Sequence, residues 1–206
     1  MEKELEAKYF IEDEDLMREQ LKGAGLECVK PKVLMRRKTF DTGIKGKWIR
    51  IRDEGNKTTM TFKNITGATI NDVSEEETTV GSFDKACNII NQTDYKEKSF
   101  QENYREVWQN NEVEVVIDTW PYLKSYIEIE AKSVDIIKKY SETFKFNFSK
   151  DAFFGSVDVL YENQYKIPPK EFIKIPRITF NDMELKKILD LYKNNNFRTL
   201  ERGNNV

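Results

Sequence analysis

A chain of 206 residues that is 38% hydrophobic and 12% aromatic holds enough apolar material for one sizeable core, which excludes a disordered chain and requires no second domain. Charged residues make up 34%, yet the formal net charge is only −2, so no global basic field drives non-specific nucleic-acid binding. Histidine is absent, which excludes serine–histidine and cysteine–histidine nucleophiles and histidine-ligated zinc.

Catalysis would then draw on carboxylates, lysine, arginine, tyrosine, serine or a metal. Cys28 and Cys87 lie far apart and match no zinc or redox spacing, as expected of small hydrophobes in a reducing compartment. The chain opens on charge and has no signal-like segment and no apolar run long enough to span a bilayer. A soluble, cytoplasmic protein with no membrane partner is the expectation.

In chain order, residues 2–11 alternate as a strand. Asp13 to Leu26 carries helical spacing at Leu16, Leu21 and Ala24 and runs into Gly23 and Gly25. After Pro31, residues 33–41 read as a strand, and Gly43 and Gly46 bracket a turn into a strand over Lys47–Asp53. Glu54-Gly55-Asn56 signals a hairpin into Thr58–Ile65, and residues 72–80 form the next strand. Ser82 caps a helix over about 83–92, with Asp84 in its first turn. Residues 98–108 and 112–119 pair around Asn110-Asn111, and a strand follows at 125–132. Ser133 caps a helix to about residue 144, a short strand is expected at 156–161, and a helix capped by Asn181 covers about 182–194. The apolar stripe Met183, Leu185, Ile188, Leu189 and Tyr192 packs this last helix on the domain. Eight or so strands joined mainly by hairpins can close into a barrel that holds a small ligand.

The charged residues on these strands fall at a period of two, which gathers them on one face. Glu4, Glu6 and Lys8 alternate with Leu5 and Ala7, and Glu128, Glu130 and Lys132 with Ile129 and Ala131. Arg50 and Arg52 alternate with Ile49 and Ile51. Thr59, Thr61 and Lys63 alternate with Met60 and Phe62, and Glu75 and Glu77 keep the same period. Asn103 and Arg105 flank Tyr104, and Asp118 follows Val113, Val115 and Ile117. Each strand alone reads as the wet face of a sheet. Recurring pairs of Glu, Arg and Lys point instead to an inward charged face, where acids hold a cation and basic groups hold an anion with several oxygens. A metal-bound polyphosphate needs both.

These residues resemble the CYTH family, the triphosphate tunnel metalloenzymes, which includes inorganic triphosphatases, thiamine triphosphatases and class IV adenylyl cyclases. Glu4-Leu5-Glu6-Ala7-Lys8 matches the family's ExExK signature. Phe40-Asp41-Thr42, Trp48-Ile49-Arg50-Ile51-Arg52, Thr61-Phe62-Lys63, Glu75-Glu76-Glu77, Arg105, Asp118 and Glu128-Ile129-Glu130 follow in the family's order. The resemblance implies an α+β fold, a closed eight-stranded antiparallel β-barrel with helices packed outside, over residues 1–166. Residues 167–206 would be an extension with one helix on the same domain. By position, Glu4, Glu6, Glu128 and Glu130 would bind Mg²⁺ or Mn²⁺, with Asp118 close to the same cluster. Lys8, Arg50, Arg52, Lys63 and Arg105 would grip the triphosphate, and Glu75 and Glu77 would orient water or hold a second metal. The chain departs from the family pattern at Asn103, where a lysine is usual, and at Gly155-Ser156-Val157.

Three functions follow. The first is a metal-dependent hydrolase of inorganic triphosphate or a small organic triphosphate. The second is a class IV adenylyl cyclase acting on ATP, although no segment reads a base. The third is a polyphosphate- or nucleotide-binding module without turnover, suggested by the departures. The expected partner is a small-molecule triphosphate or nucleotide, not a nucleic acid, and the protein is expected to be a monomer or homodimer.

Overall fold

Where the sequence alternates, the backbone is extended, and where apolar residues recur at helical spacing it is helical, in a computed structural model that describes residues 5–65 and 73–203. Strand β1 (Leu5–Phe10) leads into helix α1 (Glu14–Gly23), followed by β2 (Glu27–Asp41), β3 (Lys47–Asp53), β4 (Thr58–Ile65) and β5 (Val73–Val80). Helix α2 (Phe83–Ile90) precedes β6 (Lys96–Gln109), β7 (Val113–Thr119) and β8 (Tyr126–Ala131). Then come α3 (Val134–Thr143), α4 (Phe148–Asp151), α5 (Asp158–Tyr165), α6 (Pro169–Phe172), the two-residue β9 (Arg177–Ile178) and α7 (Met183–Gly203). The strands run in the order β1-β8-β7-β6-β2-β3-β4-β5, with β9 on β6. The β1–β8, β8–β7, β7–β6, β2–β3, β3–β4 and β4–β5 pairings are antiparallel, and β9 runs parallel to β6 beside Phe100 and Gln101.

The closed barrel expected from the sequence is not what the hydrogen bonds describe. Among the described residues no ladder joins β1 to β5, so the sheet is an open path with two ends. Two further expectations need correction. Residues 156–161 enter helix α5 instead of a strand, because Leu160, Tyr161 and Tyr165 are buried at helical spacing, and the Tyr161 and Tyr165 rings stack. Strand β2 starts at Glu27 and runs through Pro31. Its pairs with β3 begin only at Arg36, so the missing proline N–H lies outside that ladder. No helix among the described residues is long and apolar enough to cross a membrane.

The chain forms two compact units. The first comprises residues 1–32, 104–174 and 183–206, and the second residues 33–103 and 175–182. In the first, Ala7 and Tyr9 of β1, Ile127 and Ile129 of β8, and Val115 and Ile117 of β7 point to one side of the sheet. They pack with Met17 and Leu21 of α1 and with Ile137 and Tyr140 of α3. Every second residue therefore lies on the opposite, polar side. The helices are placed by caps: the Asp13 carboxylate accepts from the backbone N–H of Asp15 at 2.8 Å and of Leu16 at 3.1 Å, and Ser133 caps α3 through the N–H of Ile136. In the second unit, Phe40 of β2 and Ile49 and Ile51 of β3 pack with Phe83, Ala86, Cys87 and Ile90 of α2. Burial of the Cys87 thiol raises its pKa to about 11, so it stays a neutral, apolar group.

Glu14, in the first turn of α1, ties this helix to the sheet. Its carboxylate accepts from Lys32 at 2.8 Å, Thr119 at 2.9 Å and Ser125 at 2.7 Å. Burial opposes its charge, but these hydrogen bonds and the Lys32 ammonium outweigh it and bring the pKa down to about 2. A depressed carboxyl pKa contributes stability above the unfolded value near 4.5, and that contribution is lost as pH falls from there towards 2. Glu14→Gln is expected to cost about 2 kcal/mol at pH 7. The gap to the parent should narrow steadily below pH ~4.5. Urea melts at pH 7, 4 and 3 check this, and a gap that does not change with pH would sink it.

Candidate metal and phosphate site

The polar side of the first unit gathers acids around one buried cation. Lys8 sits directly opposite Glu128, and Glu6 opposite Glu130, across the β1–β8 ladder. Carboxylate oxygens of Glu6, Glu128 and Glu130 lie within 4.8 Å of one another. Lys8 is only 3% exposed, and its ammonium reaches Glu6 at 2.6 Å and Glu128 at 3.1 Å. Burial raises the pKa of the Glu128 carboxyl, assisted by the charges of Glu6 and Asp118 and opposed by Arg105 and Lys8. Three oxygen donors that crowd together, with Glu128 resisting ionisation, would be relieved by a hard divalent cation. Their chemistry and spacing fit Mg²⁺ or Mn²⁺.

Beside this group, Asp118 is fully buried and lies opposite Arg105 in the β6–β7 ladder. Arg105 donates to both of its carboxylate oxygens, Nε to Oδ1 at 2.9 Å and Nη2 to Oδ2 at 2.6 Å, and the Tyr126 hydroxyl donates to Oδ2 at 3.2 Å. Burial disfavours the Arg105 charge. The charge and hydrogen bonds of Asp118 outweigh that, and the guanidinium holds its proton more firmly than a free arginine.

In the second unit, the side of the sheet turned away from α2 is basic. Arg50 lies opposite Thr61, which lies opposite Glu77, and Lys63 lies opposite Glu75. Thr61 donates to Glu77 at 2.6 Å, Arg50 reaches the same carboxylate at 3.5 Å, and Lys63 pairs with Glu75. Burial, and next the neighbouring charge of Arg52, lowers the Arg50 pKa against the pull of Glu75 and Glu77. A cation held under such strain gains from an arriving anion.

The residues anticipated from the sequence therefore fall into separate sets. Glu6, Glu128, Glu130 and Lys8 come together. Asp118 binds Arg105 and is outside the acid trio. Arg50, Arg52, Lys63, Glu75 and Glu77 share one sheet face. Glu4 lies outside the described residues. Arg37 and Thr59 were not anticipated as functional, although both stand on the same face as Arg52. The run Arg36-Arg37-Lys38 shows no alternation of charge, so only pairing reveals which of the three faces the polar side.

A family model for the CYTH domain matches residues 2–147. The chain belongs to the CYTH domain family. No curated protein matches it at a significant level. Among solved structures it is similar to a conserved hypothetical protein of Pyrococcus furiosus, with a TM-score of 0.58 at 23% identity, covering 73% of this chain and 95% of that one. A candidate adenylate cyclase of Vibrio parahaemolyticus gives 0.59 at 16% identity, covering 76% and 96%. A candidate adenylyl cyclase of Hippeastrum with a dominant triphosphatase activity gives 0.50 at 17%, covering 82% and 99%. At these identities the likeness speaks for the CYTH fold, and the activity must be argued from the side chains.

Proposed function

We propose that this CYTH protein is a metal-dependent hydrolase of inorganic triphosphate or of a small organic triphosphate. The observation that carries the reading is the convergence of the Glu6, Glu128 and Glu130 carboxylates beside the buried ammonium of Lys8. An acid trio alone suits many cations. A trio with a lysine at its edge, in a chain with a separate face of arginine and lysine, suits a cation that arrives with phosphate oxygens.

In this reading Glu6, Glu128 and Glu130, with Glu4, hold Mg²⁺ or Mn²⁺, which supplies Lewis-acid polarisation of phosphoryl oxygens when bound. Lys8, Arg50, Arg52 and Lys63 offset charge on the non-bridging oxygens, the main demand of phosphoryl transfer. Arg105 adds to this set, with Asp118 fixing its fork by two hydrogen bonds. Glu75 and Glu77, both exposed, orient water and accept its proton. No covalent intermediate is required, consistent with the absence of histidine.

The test is phosphate release from inorganic triphosphate, thiamine triphosphate and ATP in Mg²⁺ and then Mn²⁺, with product analysis. Release that stops on adding EDTA supports the reading. Cyclic AMP with pyrophosphate from ATP would replace it with a cyclase, and binding without turnover would replace it with a binding module.

A further inference from the structure

The strands that carry the basic face of the second unit carry an apolar one on their other side. Helix α2 packs on Phe40, Ile49 and Ile51 there but leaves apolar surface open along β4. Met60, Val80, Ala86, Ile89 and Ile90 line a trough of about 390 Å³. Met60 also borders a second hollow of about 250 Å³, lined with Ile49, Phe62, Glu76 and Thr78, so the two run on from each other. The register agrees: Ile49, Phe62 and Glu76 form one row across β3, β4 and β5, and Met60 with Thr78 belongs to the next. Ile89 stands at the border of this trough. It lies off the buried stripe of Phe83, Ala86, Cys87 and Ile90 and is 68% exposed.

Two features decide what covers this surface. Ile89 projects beside a hollow with apolar walls, so one patch offers a knob and a hole together, as a surface that pairs with itself must. The rim also carries both signs. Lys85 lies one turn before Ile89 on α2, Glu76 lies beside Phe62 at the other end, and both are exposed. A twofold axis through the trough brings Lys85 of each copy towards Glu76 of the other, whereas a partner of one sign is repelled at one end. Joining through the edge of β5 would instead set Glu75-Glu76-Glu77 against the same acidic run, which opposes it.

We infer that this trough is the interface of a homodimer, in which Ile89 of each copy enters the hollow of the other and Lys85 pairs with Glu76 across the twofold axis. None of the three has a role in the hydrolase reading, and the inference stands without it. Arg50, Thr61 and Lys63 alternate to the other side of the same strands, so the dimer leaves the basic face uncovered.

The experiment is sedimentation equilibrium of the full chain over about 1–100 µM, with native mass spectrometry of the same samples. The parent is expected to pass from monomer to dimer within that range. Ile89→Asp places a charge in each hollow and should weaken association by about a hundredfold or more. Glu76→Lys and Lys85→Glu should each weaken it about tenfold by setting like charges together. The double reversal restores opposite charges and should return to within about threefold of the parent. All three positions are exposed, so each variant should keep the parent's circular-dichroism spectrum and melt. A parent that stays monomeric throughout overturns the inference, and a monomer carrying a small added mass gives the trough to an apolar ligand instead. A dimer untouched by Ile89→Asp moves the interface to another face and overturns it as well. So does a double reversal that associates no better than the single ones, because the twofold pairing of Lys85 with Glu76 would then be absent.

Discussion

Replacing Glu128 and Glu130 together by glutamine is expected to cut Mn²⁺-dependent phosphate release by about 10³-fold while leaving the chain folded. Each substitution removes one negative charge from a group whose three oxygens lie within 4.8 Å. Loss of two charged oxygen donors from a partly buried cation site costs about 4 kcal/mol, which the exponential dependence of rate on barrier turns into three decades. The fold should survive because Lys8 keeps Glu6 as a partner at 2.6 Å, so the buried ammonium is not left bare. The apolar side of β8, where Ile127 and Ile129 are fully buried, is untouched. Steady-state rates across a Mn²⁺ titration, with circular-dichroism melts of both proteins, decide it. Turnover above about a tenth of the parent value would remove these carboxylates from the chemistry. The pH dependence has a sign as well. Burial holds the Glu128 carboxyl above its ordinary range, and a metal must displace the proton. Metal affinity should therefore decline at a higher pH than a solvent-exposed carboxylate would give.

The acid trio and the basic face were legible in the sequence because a strand converts a period of two into a face. Glu6 and Lys8 against Ala7, or Arg50 and Arg52 against Ile51, can be sorted without coordinates. What the period cannot report is register between strands. That Lys8 meets Glu128, and that Arg105 meets Asp118, are facts of long-range pairing. Register is what sets Asp118 opposite Arg105. It also raises Arg37 from one of three consecutive basic residues to the neighbour of Arg52 and Asn103. The helical caps at Ser82 and Ser133 were readable because a cap is a local hydrogen bond. The turn from expected strand to helix at Asp158–Tyr165 was not. Val157-Asp158-Val159 offers three residues of alternation, whereas the burial of Leu160, Tyr161 and Tyr165 is a tertiary choice. Tyr161 is held there by stacking on Phe172 at 4.2 Å and by donating to the carbonyl of Pro121 at 2.7 Å.

Asp118→Ala is expected to be the most destabilising single substitution on the polar side of the first unit, at about 3–5 kcal/mol, because it takes from the Arg105 guanidinium the carboxylate that accepts both of its hydrogen bonds. Removing one partner of a buried pair costs far more than removing both, since the survivor keeps its desolvation penalty and loses its compensation. For a chain of this length that corresponds to a fall of about 10 °C in melting temperature. The pairing of Asp118 with Tyr126 adds to the loss, because the Tyr126 hydroxyl gives up the acceptor it holds at 3.2 Å. A second variant separates this account from a metal-ligand role. Arg105→Met combined with Asp118→Leu removes both charges and should be markedly more stable than Asp118→Ala alone. If Asp118 were instead a metal ligand, Asp118→Ala would melt close to the parent in EDTA and show its whole effect as a raised Mn²⁺ requirement. Melts of the parent, Asp118→Ala and the double variant in EDTA, followed by Mn²⁺ titrations of the parent and Asp118→Ala, distinguish an aspartate that holds an arginine from one that holds an ion.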